Sequence, residues 1–387
     1  MDEARARELL AAAGLGAARR PGTPEADAAR ADTPGAAGAA GTPGAAGTPG
    51  AAGVVGAAGT PGAAGAAGTP GAAGAAGTPG AAGAAGTPGA AGVNDPTDSP
   101  ATGSVEALAG APAELLAPAE LLALGENAVF ATGDLVVKVG RDATRHPELL
   151  ARAEREVAIA GWLTECGVPA VRAAEPAPRL VDGHPVTLWH RLPAAVRPAG
   201  PRDLAELLRI VHSLPAPPFA LPRRELLGGV ERWLRLAGDA IDPADAAYLR
   251  ARRDGFAEAA AALAPHLPPG PIHGDALPRN VHVGPDGPVL VDLETFSADF
   301  REHDLVVMAL SRDRYGLPDE QYTAFTEAYG WDVREWDGCA VLRGARETAS
   351  CAWVAQHAPV NPKALDEFRR RVASLRDGDP EVRWYPF

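Results

Sequence analysis

From Gly35 to Gly92 every third residue is glycine without a miss, and this regularity decides which parts of the chain can fold. The 20 glycines of these 58 residues are separated by Ala-Ala or Thr-Pro, with one Val54-Val55 pair. A stretch of this kind carries too little apolar surface to offset the entropy of ordering it. Glycine at every third position is what a collagen triple helix requires, because only glycine fits its crowded axis. The high imino-acid content of that helix is missing, with six prolines in the run, and so are charged X and Y residues that help to register three chains. The expectation is a flexible, disordered, collagen-like Gly-X-Y linker over 21–104.

The 329 residues outside the run contain 25 glycines, an ordinary globular share, and suffice for one large or two modest domains. All charged residues lie there, so the net charge of -13 belongs to the folding part. That charge argues against a nucleic-acid partner, which needs a basic face, and fits cationic or neutral small substrates better. Cys166, Cys339 and Cys351 suit neither a disulfide framework nor a zinc site and read as reduced, mostly buried thiols. The opening Met1-Asp2-Glu3-Ala4-Arg5 is too charged for a signal peptide. No run approaches roughly 18 uninterrupted apolar residues, so a cytoplasmic protein without a membrane partner is expected.

Residues 2–13 predict a short amphipathic helix carrying Leu9, Leu10 and Ala13 on one side and ended by Gly14. Beyond 105, Asn127–Thr132, Gly133-Asp134 and Leu135–Val139 predict a hairpin, and Pro147–Cys166 a helix. A second hairpin is expected over Arg179–Val181 and Pro185–Trp189. Helices follow near 202–214 and 243–263, the latter with Asp242 as N-cap and Pro243 at its first position. A third hairpin, Val281–Val283 and Val289–Val291, turns at Gly284-Pro-Asp-Gly287 before the C-terminal helices. Strands first and helices later indicate an α+β arrangement: a sheet lobe over 105–192 and a larger helical lobe over 193–387, with 1–20 a short helix that can belong to the same domain.

The chemistry concentrates in Ile272-His273-Gly274-Asp275-Ala-Leu-Pro-Arg-Asn280, followed beyond a hairpin by Val291-Asp292-Leu293-Glu294. Two carboxylates and an amide at the ends of short joined elements can converge. Phosphoryl transfer needs such a set: a carboxylate to receive the hydroxyl proton and oxygen ligands for Mg²⁺. Singly, Asp275 could cap a turn, Asn280 satisfy its own loop and Asp292 cap the next helix. Lys138 lies in the apolar strand Val136–Val139 on one face with Val136, where it can serve phosphates or sit on a solvated edge. Glu156 falls on the apolar stripe of Leu149, Ala153, Ala160 and Leu163, where it requires a counter-charge.

These motifs resemble the aminoglycoside phosphotransferase family, small-molecule kinases related in fold to protein kinases. Its H-G-D-x-x-x-x-N loop matches His273, Gly274, Asp275 and Asn280, and its metal-binding Asp after a strand matches Asp292. The resemblance implies a two-lobed protein-kinase-like fold with a small antiparallel-sheet N-lobe. It implies Asp275 as catalytic base, His273 as a loop-positioning residue, Asn280 and Asp292 as Mg²⁺ ligands, and Lys138 paired with Glu156 on the phosphates of ATP or GTP. A phosphate loop at 125–134, including Gly125 and Asn127, rests on position alone, because G-x-G-x-x-G is absent. Val186–Leu192 stands where the family's hinge contacts adenine, although Trp189 equally reads as core. Asp304 resembles an aspartate that braces the catalytic loop, against an ordinary N-cap; His212 reads as a core histidine.

The expected activity is transfer of a γ-phosphoryl group from a Mg-nucleotide to a hydroxyl of a small molecule, by an enzyme for which a monomer is favoured. One alternative is a metal-dependent hydrolase using His273, Asp275, His282, Asp292 and Glu294. Another is a non-enzymatic, collagen-like oligomerising protein. Asp299, Glu302, Asp319, Glu320 and Glu347 are candidate walls of an amine pocket.

Overall fold

The computed structural model describes residues 1–15, 119–125 and 127–385. The Gly-X-Y run lies outside the described residues. Five strands form one antiparallel sheet in the order β1-β2-β3-β5-β4: β1 (Glu120–Leu124), β2 (Ala128–Thr132), β3 (Leu135–Val139), β4 (Arg179–Val181) and β5 (His184–His190). Side-chain alternation gives this sheet two different apolar faces. Val129, Val136 and Trp189 join the core shared with the helical lobe. Phe130, Val137, Val139, Val186 and Leu188 point the other way and bury against the chain's first helix.

That helix, α1 (Glu3–Ala12), begins where Asp2 accepts a hydrogen bond from the Arg5 amide at 2.9 Å and closes before Gly14, whose φ of +74° suits glycine. Ten residues are too few to hold a helix in water. The missing stability comes from docking: Leu9 and Leu15 are fully buried and Leu10 nearly so, on the outer face of the sheet. Arg7 adds a hydrogen bond to the Ala119 carbonyl at 2.9 Å. Leu9→Ala is accordingly expected to cost about 2–5 kcal/mol, read as a lower melting temperature; unchanged melting would show that α1 contributes nothing to this core.

Helix α2 (Glu148–Glu165) packs beside β5 and carries Glu156, Val157, Ile159, Ala160 and Leu163 on its buried side. The larger lobe holds α3 (Pro201–Ser213), α4 (Val230–Ala237), α5 (Pro243–Ala261), β6 (Gly270–Ile272), β7 (Val281–Gly284), β8 (Gly287–Leu290) and β9 (Ser297–Asp299). It is completed by α6 (Glu302–Tyr315), α7 (Asp319–Tyr329), α8 (Cys339–Ala355) and α9 (Pro362–Arg376). Asp242 caps α5 by accepting from the Ala244 amide at 2.7 Å. This is the two-lobed α+β arrangement expected from the element order, and the protein-kinase-like fold that the resemblance implied.

Three strands were not legible beforehand. β1 is a short half-exposed strand, and β6 pairs with β9 across the whole 272–297 segment, a ladder that local pattern does not announce. In the β7–β8 hairpin the ladder extends to Gly284 and Gly287, leaving a two-residue turn. Cys166 is exposed, unlike the buried Cys339 and Cys351. Among the described residues no helix is long and apolar enough to cross a membrane.

Candidate active site

The β6–β9 ladder and the β7–β8 hairpin hold the loop 273–280 between them. His273 follows β6 and is fully buried. Its Nε2 donates to the Val291 carbonyl at 3.0 Å and its Nδ1 accepts from the Asp275 amide at 3.4 Å, so the ring ties this loop to the residue preceding Asp292. Gly274 has φ +83°, and a Cβ there would lie 2.3 Å from the Thr295 carbonyl oxygen, so only glycine fits. The loop is then clamped from α6. Asp304, fully buried, accepts from the His273 amide at 2.7 Å, the Gly274 amide at 2.8 Å and His212 Nε2 at 3.1 Å. Asp304 is therefore a brace and not an N-cap. His212, bonded also to the Tyr329 hydroxyl at 2.8 Å, is a satisfied core histidine that supports it.

Asp275 is nearly buried. Its Oδ2 accepts from Arg279 Nη2 at 2.8 Å and Asn280 Nδ2 at 3.1 Å, and Asn280 Nδ2 also reaches the Asp275 carbonyl at 2.7 Å. Both donated bonds use the amide nitrogen of Asn280, which leaves its Oδ1 as an oxygen donor. Asp275 Oδ1 is buried without a partner among the described residues. Asp292 sits after β8 with φ +59°, a left-handed conformation uncommon for a non-glycine residue, and its carboxylate makes no capping bond to the 3₁₀ turn that follows. Burial and Glu294 push the Asp292 carboxyl up, against the pull of Lys138.

Lys138 is in β3, a central strand, between Val129 and Thr187, and not on a solvated edge. Its Nζ bonds both oxygens of Glu156, at 3.1 and 3.0 Å, and pairs with Glu294. Glu294 also accepts from Asn127 Nδ2 at 3.0 Å and faces Arg152 at 3.9 Å, so it joins the β1–β2 loop, the β3 lysine and the large lobe. Burial pulls the Lys138 ammonium down, but Glu156, Glu294 and Asp292 together hold it above its ordinary value. With one lysine shared among three carboxylates, burial pushes Glu156 up to about 7.

Asn127, Lys138, Glu156 and Glu294 line one pocket, Asp292 lies within electrostatic reach of both Lys138 and Asp275, and His273 and Asn280 are bonded to Asp275, while Gly125 is exposed beside Asn127. The expected 125–134 phosphate loop needs correction. Gly125 donates to the Asn127 carbonyl at one end of β2, whereas Gly133 and Asp134 turn at its far end, a strand's length away. The hydrolase set does not assemble: His282 turns to the Pro193 carbonyl at 2.8 Å, and among the described residues no group of three His, Cys, Asp or Glu suits a metal by itself. Three of the five acids named for an amine pocket are engaged elsewhere. Glu302 accepts from the His266 and Leu267 amides, Glu347 binds Arg314, and Asp319 pairs with Arg312 on the surface. Trp189 is core, its Nε1 donating to Thr187 Oγ1 at 2.9 Å. Glu294 and Arg279 were quoted in the sequence without these contacts; Arg224 and Arg346, which also face Asp275, gave no local signal.

A model described as the phosphotransferase enzyme family matches residues 122–342, more than half of the chain, with Asn127, Lys138, Asp275, Asn280 and Asp292 inside it. The chain belongs to the phosphotransferase enzyme family. A family member is an enzyme, and the two-lobed fold agrees with solved structures of similar proteins. An amicoumacin kinase, hAmiN, in complex with AMP-PNP, Ca²⁺ and Ami has a TM-score of 0.53 at 12% identity, over 69% of this chain and 90% of its own. LicA in complex with AMP gives 0.51 at 16%, over 67% and 91%. A thermostable mutant of the aminoglycoside phosphotransferase APH(4)-Ia gives 0.51 at 12%, over 68% and 95%. At these identities the likeness concerns fold. A second model, collagen triple helix repeat, matches this phosphotransferase at residues 18–95. Comparison with curated proteins gives no match.

Proposed function

We propose that this phosphotransferase moves the γ-phosphoryl group of a Mg-bound nucleoside triphosphate, ATP or GTP, to a hydroxyl of a small molecule. The observation that supports the reading is a pair of bonded couples, Lys138 with Glu156 in the sheet lobe and Asp275 with Asn280 in the helical lobe, with Asp292 within electrostatic reach of both Lys138 and Asp275. The nucleotides in the hAmiN and LicA structures are consistent with a nucleotide co-substrate.

Asp275 Oδ1 is the open acceptor for the hydroxyl proton, while Asn280 and Arg279 fix the carboxylate through Oδ2. Burial pushes its carboxyl up, yet Arg279, Arg346, His273 and Arg224 together hold it below the ordinary range. So weak a base orients the hydroxyl first and takes the proton late, as the bond to phosphorus forms, in keeping with a loose transition state. Lys138, aimed by Glu156, supplies positive charge to the α- and β-phosphates. The donor set fits Mg²⁺: Asp292 is a crowded carboxylate that makes no capping bond, and Asn280 offers Oδ1. These two would hold Mg²⁺, whose charge offsets that of the phosphates. Asn127, near Glu294, and the Gly125 turn would close over them. In this reading 1–20 and 105–192 make the smaller lobe, 193–387 the larger, and 21–104 is an insert.

The nucleotide step is tested by titrating Mg-ATP into the wild type and Lys138→Met. Loss of charged hydrogen bonds worth about 1.5–3 kcal/mol weakens binding roughly tenfold to a hundredfold. A folded variant that binds Mg-ATP as tightly as the wild type would remove the basis of the assignment.

A further inference from the structure

Asp275 is surrounded by arginines. Arg279 bonds it from its own loop, Arg346 of α8 bonds the carbonyl of the preceding Gly274, and the charge of Arg224, from the irregular 214–229 segment between α3 and α4, also bears on it. Arg346 is 3% exposed. Its Nη2 donates to the Gly274 carbonyl at 3.2 Å and the His303 carbonyl at 3.3 Å, while its Nε is buried without a partner. Among the described residues Nε and Nη2 of Arg224 likewise have no partner, though both are buried. Buried donors without acceptors forfeit their hydration for nothing in return, so three such atoms beside one carboxylate call for an explanation.

The neighbouring acids do not answer them. Asp299 accepts from the Phe300 amide and from the backbone amide of Arg224, with Arg223 at 3.5 Å. Asp304 is occupied by two loop amides and His212, and Glu302 takes the His266 and Leu267 amides through Oε1, while neither Arg224 nor Arg346 bonds its Oε2. The two guanidiniums also repel each other: burial, then the charge of Arg224, bring Arg346 down to about 10. Two carboxylate oxygens among the described residues are likewise buried without a partner, Glu302 Oε2 and Asp275 Oδ1, and of these two acids Asp275 is the one whose charge is felt by both guanidiniums.

Donors that lack an anion, next to an acceptor that lacks a hydroxyl, describe the missing molecule. We propose that the acceptor substrate is a hydroxylated oxyanion, its anionic group received by Arg224 and Arg346 and its hydroxyl donated to Asp275 Oδ1. The inference rests on the phosphotransferase reading and deepens it, and it replaces the cationic or neutral acceptor that net charge suggested. In the step, the acceptor oxygen forms a bond to the γ-phosphorus as the bond to the bridging oxygen breaks. The nucleoside diphosphate leaves with that electron pair, and the hydroxyl proton passes to Asp275. The 214–229 segment must swing outward to admit the acceptor; it is joined to β9 by Ala298 N to Pro222 O at 2.9 Å and Arg224 N to Asp299 Oδ2 at 3.1 Å.

Four three-carbon alcohols separate the charge classes: glycerate, glycerol 3-phosphate, neutral glycerol and cationic 3-amino-1,2-propanediol. Each is added to the full chain saturated with Mg-AMP-PNP, and the melting temperature is followed. An anionic probe is expected to raise it, with the larger of the two anionic shifts telling carboxylate from phosphate, and glycerol and the amine to leave it alone. Arg224→Ala abolishes the shift, with affinity falling about tenfold or more, and Arg224→Lys restores part of it. No anionic shift in the wild type, a shift that survives Arg224→Ala, or a shift given by the amine instead, each overturns the proposal. The shift produced by Mg-AMP-PNP alone reads the nucleotide site separately; if that is missing while the anion still binds, the kinase reading fails and the arginine site stands.

Discussion

Asp275→Asn is expected to lower nucleotide consumption with the best acceptor by about 10²–10⁴-fold, the usual contribution of a positioned general base, while Mg-ATP affinity stays near the wild-type value. The amide keeps the size of the side chain and can still meet one of Arg279 or Asn280 through its oxygen, so the loop retains its shape. What disappears is the negative oxygen that orients the hydroxyl and takes its proton. Binding survives because the hydrogen bonds that Lys138, Glu156 and Glu294 make among the described residues run between themselves and to Asn127, not to Asp275. Calorimetric titration together with a turnover assay separates the two effects. Wild-type turnover in the variant would exclude Asp275 as the base; loss of nucleotide binding in a folded variant would mean that it serves the nucleotide.

Asp304→Ala is expected to be the most destabilising change in the large lobe, at about 3–5 kcal/mol, because it removes the buried acceptor of two loop amides and of His212. For a domain of this size that lowers the melting temperature by roughly 6 °C or more. His212→Ala with Asp304→Ala should cost less than the two single changes summed, since they share one interaction. Burial pushes the Asp304 carboxyl up, but His212, His273 and the His273 amide outweigh it and hold it below its ordinary value. A depressed native pKa contributes stability that is present above the unfolded value, about 3.9 for an aspartate, and lost as pH falls through the native one. Wild type and variant should therefore converge in stability below about pH 4. A difference that persists undiminished in strong acid would show that the carboxylate charge is not what holds the loop.

Much of the site could be read from spacing because its parts are local. Asp275 and Asn280 share one short loop, and the β7–β8 hairpin returns the chain to Asp292 by a connection whose turn residues are explicit. Strand alternation and helical period say which face Lys138 and Glu156 each occupy, and the family resemblance paired them. The phosphate loop was misjudged at Gly133 because alternation does not say which end of a hairpin faces the pocket; the ladder from Ala128 to Val139 does. Three of the acids named for an amine pocket were misread for a related reason. Net charge counts acids without recording that Glu302 accepts from backbone amides, Glu347 pairs with Arg314 and Asp319 pairs with Arg312.

By itself the amino-acid order determined the unbroken glycine period, the lobe sequence of strands then helices, and the His-Gly-Asp to Asn spacing with an aspartate after a strand. All are short-range, set by backbone geometry and by which side chains neighbouring residues present. Only the tertiary structure decided that α1 docks on the outer face of the sheet, that Glu294 bridges Lys138 and Asn127, and that Arg224 and Arg346 converge on Asp275 from opposite sides of it in the chain. Those contacts join residues far apart in sequence, and they arise because burying apolar faces brings polar groups together that no local period relates.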